Sequence, residues 1–136
     1  MQMRDPEFNS LSHEVIGAGI EVHRVLGPGL LEVPYKVCLT YELRKRGLRV
    51  ETERAVPLVY DQIRMDCGYR VDLVVNDAIV VEVKSIASLT DAHVAQMLTY
   101  LRLTGLPLGL LMNFNAPTLK AGLKRVINTP DFSARL

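Results

Sequence analysis

Two short apolar segments that carry charged residues constrain the fold of this chain more than any other feature of its sequence. Tyr69–Val75 and Ala78–Lys84 are rich in valine and isoleucine, as buried β-strands are, and only two residues separate them. They predict the two arms of a β-hairpin. Asp72, Glu82 and Lys84 interrupt these apolar arms, and charge inside a buried hairpin needs a structural or functional reason.

The length of the hairpin loop decides how these charges face one another. Because side chains alternate between the two faces of a strand, Glu82 and Lys84 share a face, and a loop over residues 76–78 places Asp72 opposite Glu82. A two-residue loop would put the two carboxylates on opposite faces. Asn and Asp, which begin the loop, tolerate left-handed conformations. These residues permit the three-residue loop without excluding the two-residue one, and a functional role for the two carboxylates predicts the three-residue register. At about 5 Å and an effective dielectric of about 20, the facing carboxylates repel by roughly 3 kcal/mol. A divalent cation bound between them would turn this repulsion into a net attraction.

Length and composition predict one domain over residues 1–136. The chain has 136 residues, 49% of them apolar, which is enough for one core and too little for two ordinary ones. Its net charge of +1 excludes a strongly basic polyanion-binding domain, so nucleic-acid binding would depend on local clusters such as residues 44–46 or 120–125. Cys38 and Cys67 form no Cys/His ligand set, which argues against zinc and iron–sulfur sites.

The sequence also predicts a soluble, cytoplasmic protein. The residues at the N-terminus lack a basic region followed by an apolar run, and no apolar stretch reaches the roughly 18 residues that a membrane span needs. Two cysteines without an obvious pairing fit a reducing compartment.

Periodicity and capping residues predict an α/β protein with the element order ααβββαββ and a mixed β-sheet flanked by helices. For the second helix we expect Val37, Cys38, Tyr41 and Leu43 to be available for burial. The predicted elements are a helix capped by Asn9 and Ser10 and ended by residues 27–29, a helix over 32–46 with Gly47 as C-cap, an edge strand over 50–59 interrupted at Pro57, the hairpin, a helix over 91–104 capped by Thr90, a strand over 108–114, and an edge strand or short helix over 119–128.

Asp72 with Glu82 and Lys84 is the strongest chemical pattern in the chain. Hydrolysis of a phosphodiester with a hard divalent ion needs carboxylate oxygens to hold the metal and a cation near the attacking water, and these three residues supply both. An ordinary ion pair between Glu82 and Lys84 on a wet face, worth at most about 1 kcal/mol, explains the same pattern. Spacing alone does not separate the two interpretations.

Further polar residues lie near the first predicted turn and on the third helix. Glu32 starts the second helix, where a carboxylate complements the helix dipole. His23, Arg24 and Tyr35 lie nearby in the sequence, so this region is rich in side chains that can bind ligands or transfer protons. On the third helix, His93, Gln96 and Tyr100 recur at spacings of three and four, which forms a polar stripe. Spacing alone favours contact of that stripe with solvent.

Several segments together resemble the GxxExxY proteins, which are bacterial and archaeal relatives of the PD-(D/E)xK nucleases. The resemblance covers almost the whole chain. It is carried by residues 22–35 (VHRVLGPGLLEVPY), 69–72 (YRVD), 81–84 (VEVK), 96–101 (QMLTYL), 109–114 (GLLMNF) and 124–125 (KR).

The resemblance implies a restriction-endonuclease-like core in which Asp72 and Glu82 bind Mg²⁺, with Mn²⁺ as a substitute, and Lys84 orients or activates the attacking water. Glu32 matches a helix glutamate that often adds a metal contact. In addition to what the resemblance implies, we expect the carbonyl of Val83 to complete the ligand set. The family's proline before the first aspartate is replaced here by Val71, which costs little because proline is not a ligand.

Gln96 and Tyr100 match a Gln-xxx-Tyr motif that sits beside the active centre in exonuclease-type branches. With His23, Arg24 and Tyr35 they are predicted to contact substrate phosphate. The combined prediction is a Mg²⁺-dependent deoxyribonuclease, with RNA as the alternative substrate and a homodimer or a partner protein to supply specificity. The rival prediction is a catalytically silent nucleic-acid-binding or accessory module of the same fold.

Overall fold

The structure is a computed structural model that describes residues 3 and 5–128. Its helices and strands follow one another in the order ααβββββαβαβ. The elements are α1 (Pro6–Leu26), α2 (Glu32–Lys45), β1 (Val50–Ala55), β2 (Leu58–Tyr60), β3 (Ile63–Met65), β4 (Arg70–Val75), β5 (Ile79–Lys84), α3 (Asp91–Thr104), β6 (Leu108–Asn113), α4 (Leu119–Gly122) and β7 (Leu123–Ile127).

Five of the strands form a mixed sheet in the order β1-β4-β5-β6-β7. The pair β5–β6 is parallel and is joined through α3, whereas the other neighbouring pairs are antiparallel. Strands β2 and β3 form a separate small hairpin. The predicted class, an α/β fold with a mixed sheet flanked by helices, is therefore confirmed.

Apolar side chains pack on both faces of this sheet. Helices α1 and α2 cover one face, where Leu39 lies in one cluster with Leu73 and Val81. Helix α3 covers the other face, where Met97 packs in a cluster with Val80. This burial on both sides explains why β4, β5 and β6 are apolar almost throughout, as strands with two covered faces are.

The register of the central hairpin agrees with the predicted three-residue loop. Its paired residues are Leu73 with Val81, Val74 with Val80, and Val75 with Ile79, so the loop covers residues 76–78. The first two loop residues have φ values of 51° and 50°, the left-handed conformation that Asn and Asp tolerate. The loop is closed by the Ala78 N–H, which donates to the Val75 carbonyl at 3.0 Å.

The start of the first helix differs from the prediction. Helix α1 begins at Pro6 with Asp5 as N-cap, so the prediction that Asn9 and Ser10 cap it is wrong. Proline fits the first helical turn because its missing N–H would have no intrahelical partner there. The predicted end of the helix at Gly27 is confirmed.

The buried side of the second helix agrees with the prediction at Leu43 and at the partly buried Cys38 but differs at Val37 and Tyr41. Tyr35, Leu39 and Leu43 are fully buried, whereas Val37 and Tyr41 are 62% and 67% exposed. The four-residue spacing fits both sets, because residues 35, 39 and 43 follow one helix face and residues 37 and 41 follow another. Only the tertiary structure distinguishes them.

Two regions contain more elements than predicted. After Val56 the chain forms the β2–β3 hairpin, whose turn includes Asp61 with a φ of 51°, where the sequence indicated the end of a strand followed by a turn. Near the C-terminal end of the described region, the short helix and the edge strand were predicted as alternatives, and both are present as α4 and β7.

Candidate active site

The carboxylates of Asp72 and Glu82 lie together where strands β4 and β5 stop pairing. The last paired residues toward this end are Leu73 and Val81, and continuing their register by one residue brings Asp72 opposite Glu82. The Asp72 N–H donates to Glu82 Oε1 at 3.1 Å, and the Val83 N–H donates to Asp72 Oδ2 at 2.8 Å. Each carboxylate thus accepts a backbone hydrogen bond from the opposite strand.

Glu82 is in an environment that disfavours its charge. It is 5% exposed, and burial, followed by repulsion from the Asp72 carboxylate, raises its pKa from 4.5 to about 8. The Asp72 N–H and the charge of Lys84 act in the opposite direction. Near neutral pH the metal-free protein therefore holds a proton on Glu82, and a bound cation would favour the ionised form instead.

Lys84 follows Glu82 on the same face of β5, as the alternation of a strand requires. It is half-buried, and within the described part of the chain it forms no ion pair within 4 Å. Val83 lies between these two residues, and its N–H is directed at Asp72. In a strand the carbonyl of a residue points to the same neighbouring strand as its N–H, so the Val83 carbonyl is also directed toward β4.

Lys36 is a contributor to this site that the sequence analysis missed. It projects from α2, and its Nζ lies 3.1 Å from Asp72 Oδ1 and 2.7 Å from Glu53 Oε1 on β1. Burial lowers the pKa of Lys36, but the hydrogen bonds to Glu53 and Asp72 outweigh burial and raise it. In the sequence, its place directly after Tyr35 was the only signal, since Lys36 lies 36 residues before Asp72.

Tyr100 reaches the site from α3. Its side chain is 6% exposed, and burial, then the charges of Glu82, Tyr69 and Asp72, raise its pKa. The hydroxyl therefore stays protonated and able to donate a hydrogen bond. The Tyr69 ring lies 6.4 Å from the Tyr100 ring, measured between centroids, at an angle of 59°, so Tyr69 is a second site neighbour that the sequence analysis did not single out.

The other two residues of the predicted polar stripe lie nearer the start of α3 than Tyr100 does. Gln96 is exposed on α3, one turn before Tyr100. His93 belongs to the helix cap, because its Nδ1 accepts a hydrogen bond from the Thr90 N–H at 3.0 Å.

Glu32 is not brought into contact with the carboxylate pair. It is the first residue of α2 and is half-buried. The loop before it is joined to the end of β5 by the Ser85 hydroxyl, which donates to the Leu30 carbonyl. Across residues 3 and 5–128, no group of three or more His, Cys, Asp or Glu side chains is close enough to hold a metal ion. The structure therefore assembles two carboxylates and not the three that were predicted.

Tyr35, which was predicted to contact phosphate, instead packs in the core and holds a turn. It is fully buried and stacks on Phe114, with the ring centroids 4.7 Å apart. Its hydroxyl donates to the Gly27 carbonyl and accepts from the Leu30 N–H at 3.1 Å. This geometry fixes the turn between α1 and α2 and leaves the hydroxyl no surface for a phosphate.

His23 and Arg24 lie on α1, outside the carboxylate pair. His23 is 7% exposed, and its Nε2 lies 2.8 Å from the Ala116 carbonyl, which ties α1 to the segment after β6. Arg24 is exposed and forms an ion pair with Glu21 at 2.6 Å. We assign both residues to these local contacts and leave them out of the proposed site.

The oxygen donors at the β4–β5 junction fit a hard divalent cation. The site offers two adjacent carboxylates, one of them buried and disfavoured as an anion. Strand geometry also directs the Val83 carbonyl toward β4. Carboxylate and carbonyl oxygens are ligand types that hard divalent cations such as Mg²⁺ accept. Mg²⁺ needs only one or two protein carboxylates because it keeps several water ligands.

The chain thus has a mixed α/β fold that carries an acidic pair and a lysine on its central hairpin. A family model described as the PD-(D/E)XK nuclease superfamily matches residues 9–126. The chain therefore belongs to the PD-(D/E)XK nuclease superfamily, and this membership indicates a nuclease-type function. Searches of curated proteins and of solved structures gave no match.

Among residues 3 and 5–128, none of the helices is long and apolar enough to cross a membrane.

Proposed function

We propose that the chain is a Mg²⁺-dependent nuclease that hydrolyses phosphodiester bonds in DNA. The observation that carries this proposal is the pairing of Asp72 with the buried Glu82, each bonded to the opposite strand, beside Lys84. Asp72, Glu82 and the Val83 carbonyl would hold the cation. When bound, Mg²⁺ lowers the pKa of water and neutralises the negative charge that develops on the phosphate.

The protein side chains around the carboxylates would orient the reacting groups. Lys84, whose ammonium forms no ion pair in the described region, is available to position the attacking water and to stabilise negative charge on the phosphate. Tyr100 keeps its proton because its pKa is raised, so its hydroxyl can donate a hydrogen bond to a phosphate oxygen. Gln96, exposed one turn earlier on the same helix, would contact the substrate farther from the carboxylates.

Glu32 has a secondary place in this proposal. It has no direct contact with the other carboxylates, so it would act on the cation only through a water molecule. Its substitution should therefore weaken catalysis less than substitution of either central carboxylate.

A catalytically silent nucleic-acid-binding module of the same fold is the second candidate. The observation that favours it is the Lys36 ammonium, which already neutralises Asp72 without any metal. The two candidates differ in one outcome: only the nuclease turns DNA over when Mg²⁺ is added.

Cleavage of DNA by purified protein with Mg²⁺ or Mn²⁺ tests the proposal. We expect the wild type to cut single- or double-stranded DNA, and Glu82→Ala and Lys84→Ala to abolish cutting while the circular dichroism spectrum stays unchanged. Glu51→Ala and Arg64→Ala, which remove exposed charges on β1 and β3, serve as matched controls and should retain activity.

Equal activity of the wild type, Glu82→Ala and Lys84→Ala would refute the assignment. Wild-type protein that binds DNA and Mg²⁺ but never cuts would support the silent module.

A further inference from the structure

We propose that Lys36 is an internal counter-cation that competes with the divalent metal for Asp72, and that Glu53 is the second site which holds its ammonium when the metal binds. This inference rests on the metal site of the proposed function. It concerns a lysine from α2, on a different element from the hairpin that carries the carboxylates and Lys84.

Both oxygens of Asp72 already have partners in the structure. Oδ1 accepts from the Lys36 ammonium at 3.1 Å, and Oδ2 accepts from the Val83 N–H at 2.8 Å. The side chains of Asp72 and Lys36 are only 14% and 23% exposed, so water screens this pair weakly. A cation that binds Asp72 must therefore displace the ammonium or share the carboxylate with it.

The ammonium has a chemical purpose in the metal-free protein. Glu82 holds a proton in the metal-free protein, so the charge that needs a partner beside it is that of the part-buried Asp72 carboxylate. Lys36 supplies the positive charge that a metal would otherwise supply. It thereby neutralises the Asp72 carboxylate before the metal arrives.

Glu53 offers the Lys36 ammonium a second carboxylate partner. Its Oε1 lies 2.7 Å from Lys36 Nζ, nearer than the Asp72 oxygen. Lys36 and Glu53 also line one open groove of about 570 Å³ between α2 and β1, so the lysine can move from Asp72 without becoming buried alone. Glu53 has a φ of 52°, a conformation that costs free energy for a residue other than glycine and is found preferentially at functional positions.

The proposal makes opposite predictions for the two partners of the ion pair. Lys36→Met removes a positive charge next to the metal site, so Mg²⁺ should bind at least about tenfold more tightly. Glu53→Gln leaves Lys36 with Asp72 as its remaining carboxylate partner, so Mg²⁺ should bind several-fold more weakly. If Lys36 and Glu53 only supported the fold, both substitutions would shift the Mg²⁺ affinity in the same direction, or neither would shift it.

Calorimetric titration of Mg²⁺ into the full chain measures both effects, and thermal unfolding in chelator gives a second readout. We expect Lys36→Met to lower the midpoint of unfolding without metal, because Asp72 loses its counter-charge, and Lys36→Arg to restore the wild-type Mg²⁺ affinity. Lys45→Met is the matched control, since Lys45 also lies on α2 and pairs with Glu42 at 3.4 Å. It should leave Mg²⁺ affinity unchanged.

Unchanged or weaker Mg²⁺ binding by folded Lys36→Met would overturn the inference, as would tighter binding by Glu53→Gln. If the wild type binds Mg²⁺ and cuts DNA while these variants behave alike, only the role of Lys36 fails. If the wild type binds no Mg²⁺, the proposed metal site fails, and this inference fails with it.

Discussion

The metal-free protein should lose stability as the pH rises through neutrality, and Glu82 is the group responsible. Glu82 is buried beside Asp72, and its pKa in the folded chain is about 8, against an ordinary value of 4.5. Between these two values the folded protein holds a proton that the unfolded chain has released. Stability is therefore full below the ordinary pKa and is lost progressively as the pH rises toward 8.

The magnitude follows from linkage between proton binding and folding. While only the folded state holds the proton, the free energy of unfolding falls by about 1.4 kcal/mol for each pH unit. Between about pH 6 and about pH 7.5 the expected loss is therefore about 2 kcal/mol. Glu82→Gln replaces the carboxyl with a neutral group of the same shape, so this component of the pH dependence should disappear.

Urea unfolding in the presence of chelator, followed by circular dichroism at several pH values, measures this difference. The comparison between the wild type and Glu82→Gln removes the contributions of all other titrating groups, since the two proteins share them. Saturating Mg²⁺ should reduce the pH dependence of the wild type, because the bound cation favours the ionised carboxylate. Parallel pH profiles for the two proteins in chelator would refute the reasoning about the burial of Glu82.

Three further substitutions test separate parts of the account. Tyr35→Phe removes the hydroxyl that bonds Gly27 and Leu30, and we expect a loss of about 1 to 3 kcal/mol in the free energy of unfolding with cleavage per folded molecule retained. Gly109→Ala should destabilise by about 1 to 3 kcal/mol, measured by urea unfolding, because a Cβ there would clash with the buried Met97 side chain. Tyr100→Phe should slow cleavage by about 10-fold to 100-fold in single-turnover assays while Mg²⁺ affinity stays the same. A normal cleavage rate for Tyr100→Phe would remove this tyrosine from the site.

The central hairpin could be predicted from sequence because its determinants are local. The period-two alternation and the Asn-Asp pair in the loop together define the register that aligns Asp72 with Glu82. The bounds of α3 were predicted for the same reason, since Thr90 and Gly105 mark its two ends.

The rest of the site could not be predicted because it depends on contacts between distant parts of the chain. Lys36 and Asp72 are 36 residues apart. The periodicity of α2 does not predict which strand the helix packs against. The exposure of Val37 and Tyr41 has the same origin, because the spacing of four residues fits two faces of the helix and only packing against the sheet selects one. Glu32 aligned with the family signature, but the structure does not bring it to the carboxylate pair.

The central claim is that Asp72 and Glu82 together hold a divalent cation, and anomalous scattering from crystals soaked in Mn²⁺ tests it most directly. The account predicts an anomalous peak in contact with both carboxylates, with the Lys36 ammonium displaced from Asp72 and still bonded to Glu53. A peak elsewhere in the molecule, or no peak while Lys36 still pairs with Asp72 in crystals of protein that cleaves DNA, would contradict it.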